Sequence, residues 1–89
     1  MRTIVRKSRF KKDFKKLLSS GKDLEELAEF IRLLANDEPL AERHRDHALI
    51  GDYEGCRECH ITTDWLLIYQ LTNTELILVR TGSHSELFG

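Results

Sequence analysis

The sequence predicts an α+β fold, ordered β-α-α-β-β-β, with two antiparallel N-terminal helices packed on one face of an antiparallel sheet. Two observations predict it. Apolar residues recur at helical spacing between positions 8 and 36, and three short strand-like runs separated by tight turns fill positions 56–80. At 89 residues the chain is expected to form one domain, residues 1–89, with room for one modest core.

The N-terminal third is predicted to be a short strand followed by a helix. Thr3–Lys7 alternates around a β-branched centre, and Ser8 is expected to cap the first helix. Ser19-Ser20-Gly21 ends that helix, because glycine readily takes the left-handed cap conformation. Its predicted buried stripe is Phe10, Phe14, Leu17 and Leu18.

A second helix is expected to begin near Asp23, with Glu26 as its capping-box partner. It should end near Asn36, since Pro39 disfavours helical geometry for the residue before it. Its predicted buried stripe is Leu24, Leu27, Phe30, Ile31 and Leu34.

The C-terminal half is predicted to be a loop followed by three strands and a tail. Residues 37–55 read as loop, and the strands are Cys56–Ile61, Trp65–Leu71 and Glu75–Arg80. The middle strand is almost continuously apolar, which is typical of a strand buried on both faces. In the last strand Leu76, Leu78 and Arg80 are expected to share a face, and Leu87 and Phe88 should dock the tail onto the sheet.

Charge is distributed unevenly along the chain. Residues 1–22 carry a net charge of +8 and residues 23–89 a net charge of −9, so the pI of 6.4 does not exclude a nucleic-acid partner. The basic residues Lys11, Lys12, Lys15 and Lys16 are either a solvated helix face or an RNA-binding surface. There is neither an apolar run long enough for a membrane span nor a signal peptide, so a reducing cytoplasmic setting without membrane contact is expected.

The motif Cys56-Arg-Glu-Cys59-His60 matches the attachment sequence for c-type haem, but a strand places residues three apart on opposite faces. We therefore expect free thiols, no haem, no metal and no other cofactor.

Histidines and one arginine in the second half indicate phosphate chemistry. His47, His60 and His84 accompany Asp64, Glu58 and Arg80, and they can converge on the sheet face that the helices leave open. Cleaving RNA without a metal needs a base, an acid and a cation, which imidazoles and a guanidinium can supply. Trp65 is either a core residue or an aromatic contact for a base, and Arg80 either a phosphate ligand or half of an ion pair.

These residues resemble the YafQ branch of the RelE/ParE superfamily of bacterial toxins. The matching segments cover most of the second half: Asp46-His47-Ala48-Leu49, Gly51-Asp52-Tyr53-Glu54-Gly55-Cys56-Arg57, His60 with Asp64-Trp65-Leu66-Leu67-Ile68-Tyr69, Arg80-Thr81-Gly82-Ser83-His84, and Leu87-Phe88-Gly89. The resemblance implies the fold above and a toxin of a type II toxin–antitoxin system. Such a toxin is a ribosome-dependent endoribonuclease, an mRNA interferase that cleaves mRNA at the decoding site and is neutralised by a DinJ/RelB-like antitoxin.

The resemblance also implies roles for individual residues. His84 is the main proton-transfer residue, a general acid, and Arg80 holds the phosphate. The remaining roles are acid–base and positioning groups (His47, His60, Asp64), substrate-pocket groups (Trp65, Phe88) and ribosome or RNA contacts (Lys11, Lys12, Lys15, Lys16).

Two rival functions remain open at this point. The ParE relatives share the fold but inhibit DNA gyrase by binding, without catalysis. A binding module whose histidines hold a metal ion is the other alternative.

Overall fold

The structure, a computed structural model, describes residues 1–89 as five strands and three α-helices. Two short 3₁₀ turns, Glu42–His44 and Gly51–Tyr53, flank the second strand. The α-helices and strands in chain order are β1 (Thr3–Arg6), α1 (Ser8–Leu18), α2 (Leu24–Ala35), β2 (His47–Ala48), β3 (Arg57–Thr62), β4 (Trp65–Leu71), β5 (Glu75–Gly82) and α3 (His84–Phe88).

The five strands form one sheet in the order β1-β5-β4-β3-β2. The predicted α+β fold is confirmed, and neighbouring strands are antiparallel with one exception. At one edge β1 runs parallel to β5; a hairpin cannot join a parallel pair, and here the whole intervening chain connects the two strands. The other edge is the two-residue strand β2, which falls in the segment predicted to be loop.

The prediction that the central strand is buried on both faces is confirmed. Trp65, Leu67 and Tyr69 belong to the core beneath the helices, together with Phe10, Leu27 and other apolar side chains of α1 and α2. Leu66 and Ile68 face the other way and pack against Leu87 of α3. We call that second surface the open face; it is the side of the sheet opposite α1 and α2.

Both long helices form where the apolar pattern predicted them, with differences at their ends. Lys7 rather than Ser8 is the N-cap of α1, and Ser8 is the first helical residue. Asp23 caps α2 as expected, since its carboxylate accepts hydrogen bonds from the backbone N–H groups of Glu25 and Glu26. The side chain of Glu26 does not bond back to Asp23, so the predicted capping box is not formed. Gly21 has the left-handed φ of +79° after α1.

The prediction that Leu18 is buried is wrong. Leu18 is 60% exposed, and Asp13 lies instead on the buried side of α1. At 100° per residue, Leu18 lies about 80° around the helix from Phe10, which turns it off the apolar stripe.

A bulge in β5 changes the side of the sheet that Arg80 faces. Leu78 is paired with Tyr69 and Arg80 with Ile68, so one extra residue, Val79, lies between the two pairs. The prediction that Leu76, Leu78 and Arg80 share a face is therefore wrong. The two leucines lie in the helix-side core, whereas Arg80 is in register with the open-face residue Ile68.

The C-terminal tail folds back onto the open face as the short helix α3. A capping box between Ser83 and Glu86 starts this helix, and Leu87 is buried as predicted. Gly82 makes the close approach possible, because a Cβ there would lie 3.1 Å from Glu86 Oε1. Phe88 remains 41% exposed. No candidate membrane span is present among the three α-helices.

The contrast between Leu67 and Leu18 gives a stability test. Leu67 is fully buried in the centre of the sheet, so we expect Leu67→Ala to lower the free energy of unfolding by about 2–5 kcal/mol. Leu18→Ala, the matched control on the exposed side of α1, should change it by less than about 0.5 kcal/mol. Urea denaturation followed by circular dichroism measures both values, and similar decreases in the two variants would contradict the assigned burial.

Candidate active site

The open face receives the polar side chains of β3. Cys59 and Ile61 lie in the helix-side core, and side chains alternate along a strand. Glu58 and His60 therefore point to the open face, beside Leu66 and Ile68 of β4.

His47 lies at the edge of this face on β2, where both of its ring nitrogens contact acceptors. Nδ1 is 2.6 Å from the backbone oxygen of Arg45, and Nε2 is 3.1 Å from Oε2 of Glu58 on the neighbouring strand. The ring of His47 is therefore held in place by contacts at both of its nitrogens.

Glu58 is buried although it is an acid. It is 5% exposed, and its second carboxylate oxygen, Oε1, has no hydrogen-bond partner within the chain. A buried unpaired carboxylate oxygen is costly, and functional sites are a common setting for one.

His60 is the histidine with the least engaged ring. It is half-buried, and no side chain forms a hydrogen bond with its ring. His44 Nδ1 instead bonds to the backbone oxygen of His60, at 2.8 Å. His60, Leu66 and Gly82 form one row across β3, β4 and β5. With strands about 4.8 Å apart, the backbone of His60 lies roughly 10 Å from Gly82, two residues before His84.

His84 begins α3 and is held at the same end of the sheet. Its backbone N–H donates to Asp64 Oδ1 at 3.2 Å, which ties the tail to the turn between β3 and β4. Its ring is exposed and lies 5.1 Å from the ring of Phe88, and Phe88 in turn meets Tyr53 edge-on at 5.8 Å. Asp64, His84 and Phe88 are thus brought together with Tyr53.

Arg80 is buried and paired rather than free. Its Nε and Nη2 donate to the two carboxylate oxygens of Asp13 at 2.7 and 3.0 Å, and its Nη1 donates to Tyr53 Oη at 3.4 Å. The Asp13 carboxylate raises the pKa of Arg80 above its already high ordinary value, and the Tyr53 hydroxyl adds to the shift. Arg80 is therefore a fixed cation, joined to the aromatic pair through Tyr53.

A cavity of about 460 Å³ is lined by His60 with Arg43 and Arg45, and two further cavities adjoin Arg80 and the Tyr53–Phe88 pair. One of about 540 Å³ lies beside Tyr53 and Phe88 and is also lined by Arg9 and Asp52. The other, of about 300 Å³, is lined by four cations and one acid: Arg9, Lys12, Lys16, Arg80 and Asp13. Arg9 borders both cavities, so a basic surface continues from α1 to the aromatic pair.

The four lysines predicted to contact RNA are all exposed but lie on two sides of α1. Lys12 and Lys16 line the basic cavity with Arg80. Lys11 and Lys15 lie about 100° farther around the helix, on the side of the exposed Leu18.

Trp65 does not reach the open face. It is 2% exposed in the helix-side core, and its Nε1 donates to Thr81 Oγ1 at 3.0 Å. Because side chains alternate along β4, the indole points to the opposite side of the sheet from Leu66. The sequence left open whether Trp65 is a core residue or an aromatic contact for a base, and in the structure it is a core residue.

The structure brings to the site Asp13 and Arg9, which the sequence patterns did not single out, and Tyr53, which lies in a matching segment but was given no role. Asp13 did carry a signal, since it is the single acid among the first 22 residues. An isolated acid on the buried flank of a basic helix indicates a buried cation as its partner.

The chain is similar over nearly its whole length to known bacterial toxins. A family model described as "Bacterial toxin of type II toxin-antitoxin system, YafQ" matches residues 2–89. The chain is 39% identical to the mRNA interferase toxin YafQ of Escherichia coli K12, over 99% of this chain and 97% of that protein.

Two solved structures have the same fold. The E. coli DinJ–YafQ complex contains a chain that is 39% identical, with a TM-score of 0.90 and full coverage of both chains. A metal-bound toxin from Helicobacter pylori is 46% identical, with a TM-score of 0.91, covering 99% of this chain and 100% of that one. In the present chain no three His, Cys, Asp or Glu side chains are grouped so that they could hold a metal ion.

The two cysteines are free thiols, as expected. Burial raises the pKa of the Cys59 thiol to about 12, and the carboxylates of Asp46 and Glu58 add to the shift. Burial also raises the pKa of Cys56, which is less enclosed.

Thiol reactivity tests this difference. Because the thiolate is the reactive form, iodoacetamide at pH 8 should leave Cys59 unmodified in the folded protein and label Cys56 slowly. Both cysteines should react readily in urea, where an unperturbed thiol has a pKa of about 8.5. Peptide mapping by mass spectrometry measures the labelling, and rapid modification of Cys59 in the folded state would contradict its burial.

Proposed function

The chain belongs to the YafQ family of toxins of bacterial type II toxin–antitoxin systems, and we propose that it cleaves mRNA on the translating ribosome by acid–base catalysis without a metal. Its full-length curated relative is an mRNA interferase, and this chain is accordingly an endoribonuclease. The observation that carries the mechanism is the meeting of His84, Asp64, Phe88 and Tyr53 with Arg80 at one end of the open face.

His60 is the best candidate for the general base. Its ring is not occupied by hydrogen bonds, whereas both ring nitrogens of His47 face acceptors. In the proposed first step, the imidazole of His60 takes the proton of a ribose 2′-hydroxyl, and the 2′-oxygen forms a bond to phosphorus. His47, whose ring is held by Glu58 and by the backbone oxygen of Arg45, is a positioning group at the edge of the same face.

His84 is the proposed general acid. As the bond from phosphorus to the 5′-oxygen breaks, the imidazolium of His84 gives its proton to that oxygen. The products are a 2′,3′-cyclic phosphate and a 5′-hydroxyl end. Asp64 supports this step by accepting a hydrogen bond from the backbone N–H of His84. This contact fixes the start of α3, and with it the position of the His84 side chain on the sheet.

Arg80 and Phe88 are the proposed substrate-binding residues. The Nη1 edge of Arg80, which is not used by Asp13, can donate to phosphate oxygens in the crowded transition state. Phe88 is 41% exposed at a cavity of about 540 Å³, which suits stacking on a nucleobase. Trp65 acts only from the core, through its hydrogen bond to Thr81 beside Arg80.

The partners proposed for this chain are ribosomal RNA, mRNA and an antitoxin. The exposed lysines of α1 supply positive charge for phosphate groups of ribosomal RNA. A DinJ-like antitoxin is proposed because the matched YafQ chain of E. coli is found in a complex with DinJ.

The mechanism predicts that His84→Gln loses about 10²–10⁴-fold in mRNA cleavage, because the leaving oxygen no longer receives a proton. Fold and antitoxin binding should be unchanged, since the ring makes no hydrogen bond within the chain. Mapping 5′ ends of mRNA in a translation extract measures cleavage, with Ser85→Ala on the same helix as the matched control.

Two outcomes would contradict the proposal. Full cleavage by His84→Gln would remove this residue from the chemistry. Intact mRNA together with blocked DNA supercoiling by the wild-type protein would favour a gyrase-binding toxin instead.

The lysine arrangement predicts unequal effects on ribosome binding. Lys12→Gln/Lys16→Gln should weaken it more than Lys11→Gln/Lys15→Gln, because the first pair adjoins Arg80 and the candidate active site. For Lys12→Gln/Lys16→Gln, the slope of the logarithm of the binding constant against the logarithm of the salt concentration should become less steep by about 1.4–1.8. This is about 0.7–0.9 for each phosphate group that a lysine no longer neutralises. Sedimentation with ribosomes over a salt series measures both, and unchanged binding in both double variants would assign all four lysines to a solvated face.

A further inference from the structure

Asp13 is the most completely engaged acid in the molecule. It is 8% exposed, and its carboxylate accepts from Nε and Nη2 of Arg80 and from the backbone N–H of Thr81 at 3.2 Å. A carboxylate that binds two donors of one guanidinium fixes the plane of that group as well as its position. Asp13 therefore determines which edge of Arg80 is left for another ligand.

The fold explains why this acid comes from α1. The pairing of β1 with β5 ends at Arg6 and Leu78, where the chain leaves the sheet to enter the helix. Beyond Leu78 the outer edge of β5 is no longer covered by a strand, and the N–H of Thr81 is available to a side chain. Asp13 occupies this free edge, at the place where the bulge has turned Arg80.

The remaining donors of Arg80 face the candidate active site. Nη1 is 3.4 Å from Tyr53 Oη, and the guanidinium lines the basic cavity with Arg9, Lys12 and Lys16. Asp13 neutralises one of the four cations there, so the cavity still attracts an anion.

We propose that Asp13 is a positioning residue for the cleavage reaction, which fixes the guanidinium of Arg80 so that its Nη1 edge faces the scissile phosphate. This inference rests on the function proposed above. Asp13 itself does not touch the substrate; it acts through Arg80.

A purely structural ion pair is the competing explanation. Removing one partner of a buried pair leaves an uncompensated charge and destabilises the fold, which lowers activity without any role in positioning. The two explanations differ when stability is matched, because a positioning role lowers kcat by more than an equal loss of stability does.

The test is a double-mutant cycle of Asp13→Asn and Arg80→Ala, with mRNA cleavage measured in ribosome-containing extract. A displacement of about 1 Å in a reacting group can cost about 10²-fold, so Asp13→Asn should lower kcat by roughly 10–100-fold with a smaller change in KM. In the Arg80→Ala background, Asp13→Asn should cause no further decrease, because the residue acts only through the guanidinium.

Leu17→Ala is the matched stability control. Leu17 lies one turn farther along α1, is 5% exposed and belongs to the helix-side core, so its truncation destabilises the same helix–sheet packing without touching Arg80. This variant should retain kcat when the midpoint of its urea denaturation is as low as that of Asp13→Asn. Equal decreases of kcat in Leu17→Ala and Asp13→Asn would overturn the positioning role. So would a double variant of Asp13→Asn and Arg80→Ala whose decrease equals the product of the two single decreases.

Two further measurements keep the outcomes separate. If Asp13→Asn does not fold, Asp13→Glu replaces it in the cycle, keeping the charge but changing the length, and the same absence of a further decrease is expected. Wild-type protein that leaves mRNA intact in the same extract would count against the proposed function itself, whereas wild-type cleavage with full activity of Asp13→Asn would count only against the role of Asp13.

Discussion

The constraint on which the structure depends is that β4 must be buried on both faces. Helices α1 and α2 cover Trp65, Leu67 and Tyr69, but Leu66 and Ile68 need a second cover. That cover comes from the segment before β3 and from α3, which also carry His47, Tyr53, His84 and Phe88. The candidate active site therefore lies where it does because the segments that complete the core of β4 are the ones that bear its polar groups.

Charge burial distinguishes this site from the rest of the molecule. The three charged residues that are buried, Asp13, Glu58 and Arg80, all belong to the site or to its support. Stability alone does not require such groups, since an apolar pair of similar volume is often as stable as a buried ion pair. A guanidinium held in place by Asp13 instead suits the proposed binding of a phosphate, because a fixed cation stabilises developing negative charge without rearrangement.

Much of the fold could be predicted from residue patterns, because those patterns report which side of an element is buried. The stripe of α2, the cap at Asp23 and the burial of β4 all depend on neighbours within about four residues along the chain. Predictions became wrong where the geometry depended on a distant segment. Arg80 is the clearest case, since the side it faces is set by a bulge opposite another strand.

The sequence by itself determined the two long helices, the strands β1, β3, β4 and β5, the double burial of β4, and the histidines, arginine and acid available for phosphate chemistry. Only the tertiary structure decided that Arg80 is held by Asp13, 67 positions away in the chain, and that Trp65 faces the core. It also decided that His47 is engaged at both ring nitrogens while the ring of His60 is free. The physical reason is that side-chain periodicity is a local property, whereas hydrogen-bond partners are chosen by whatever the folded chain brings within about 3 Å.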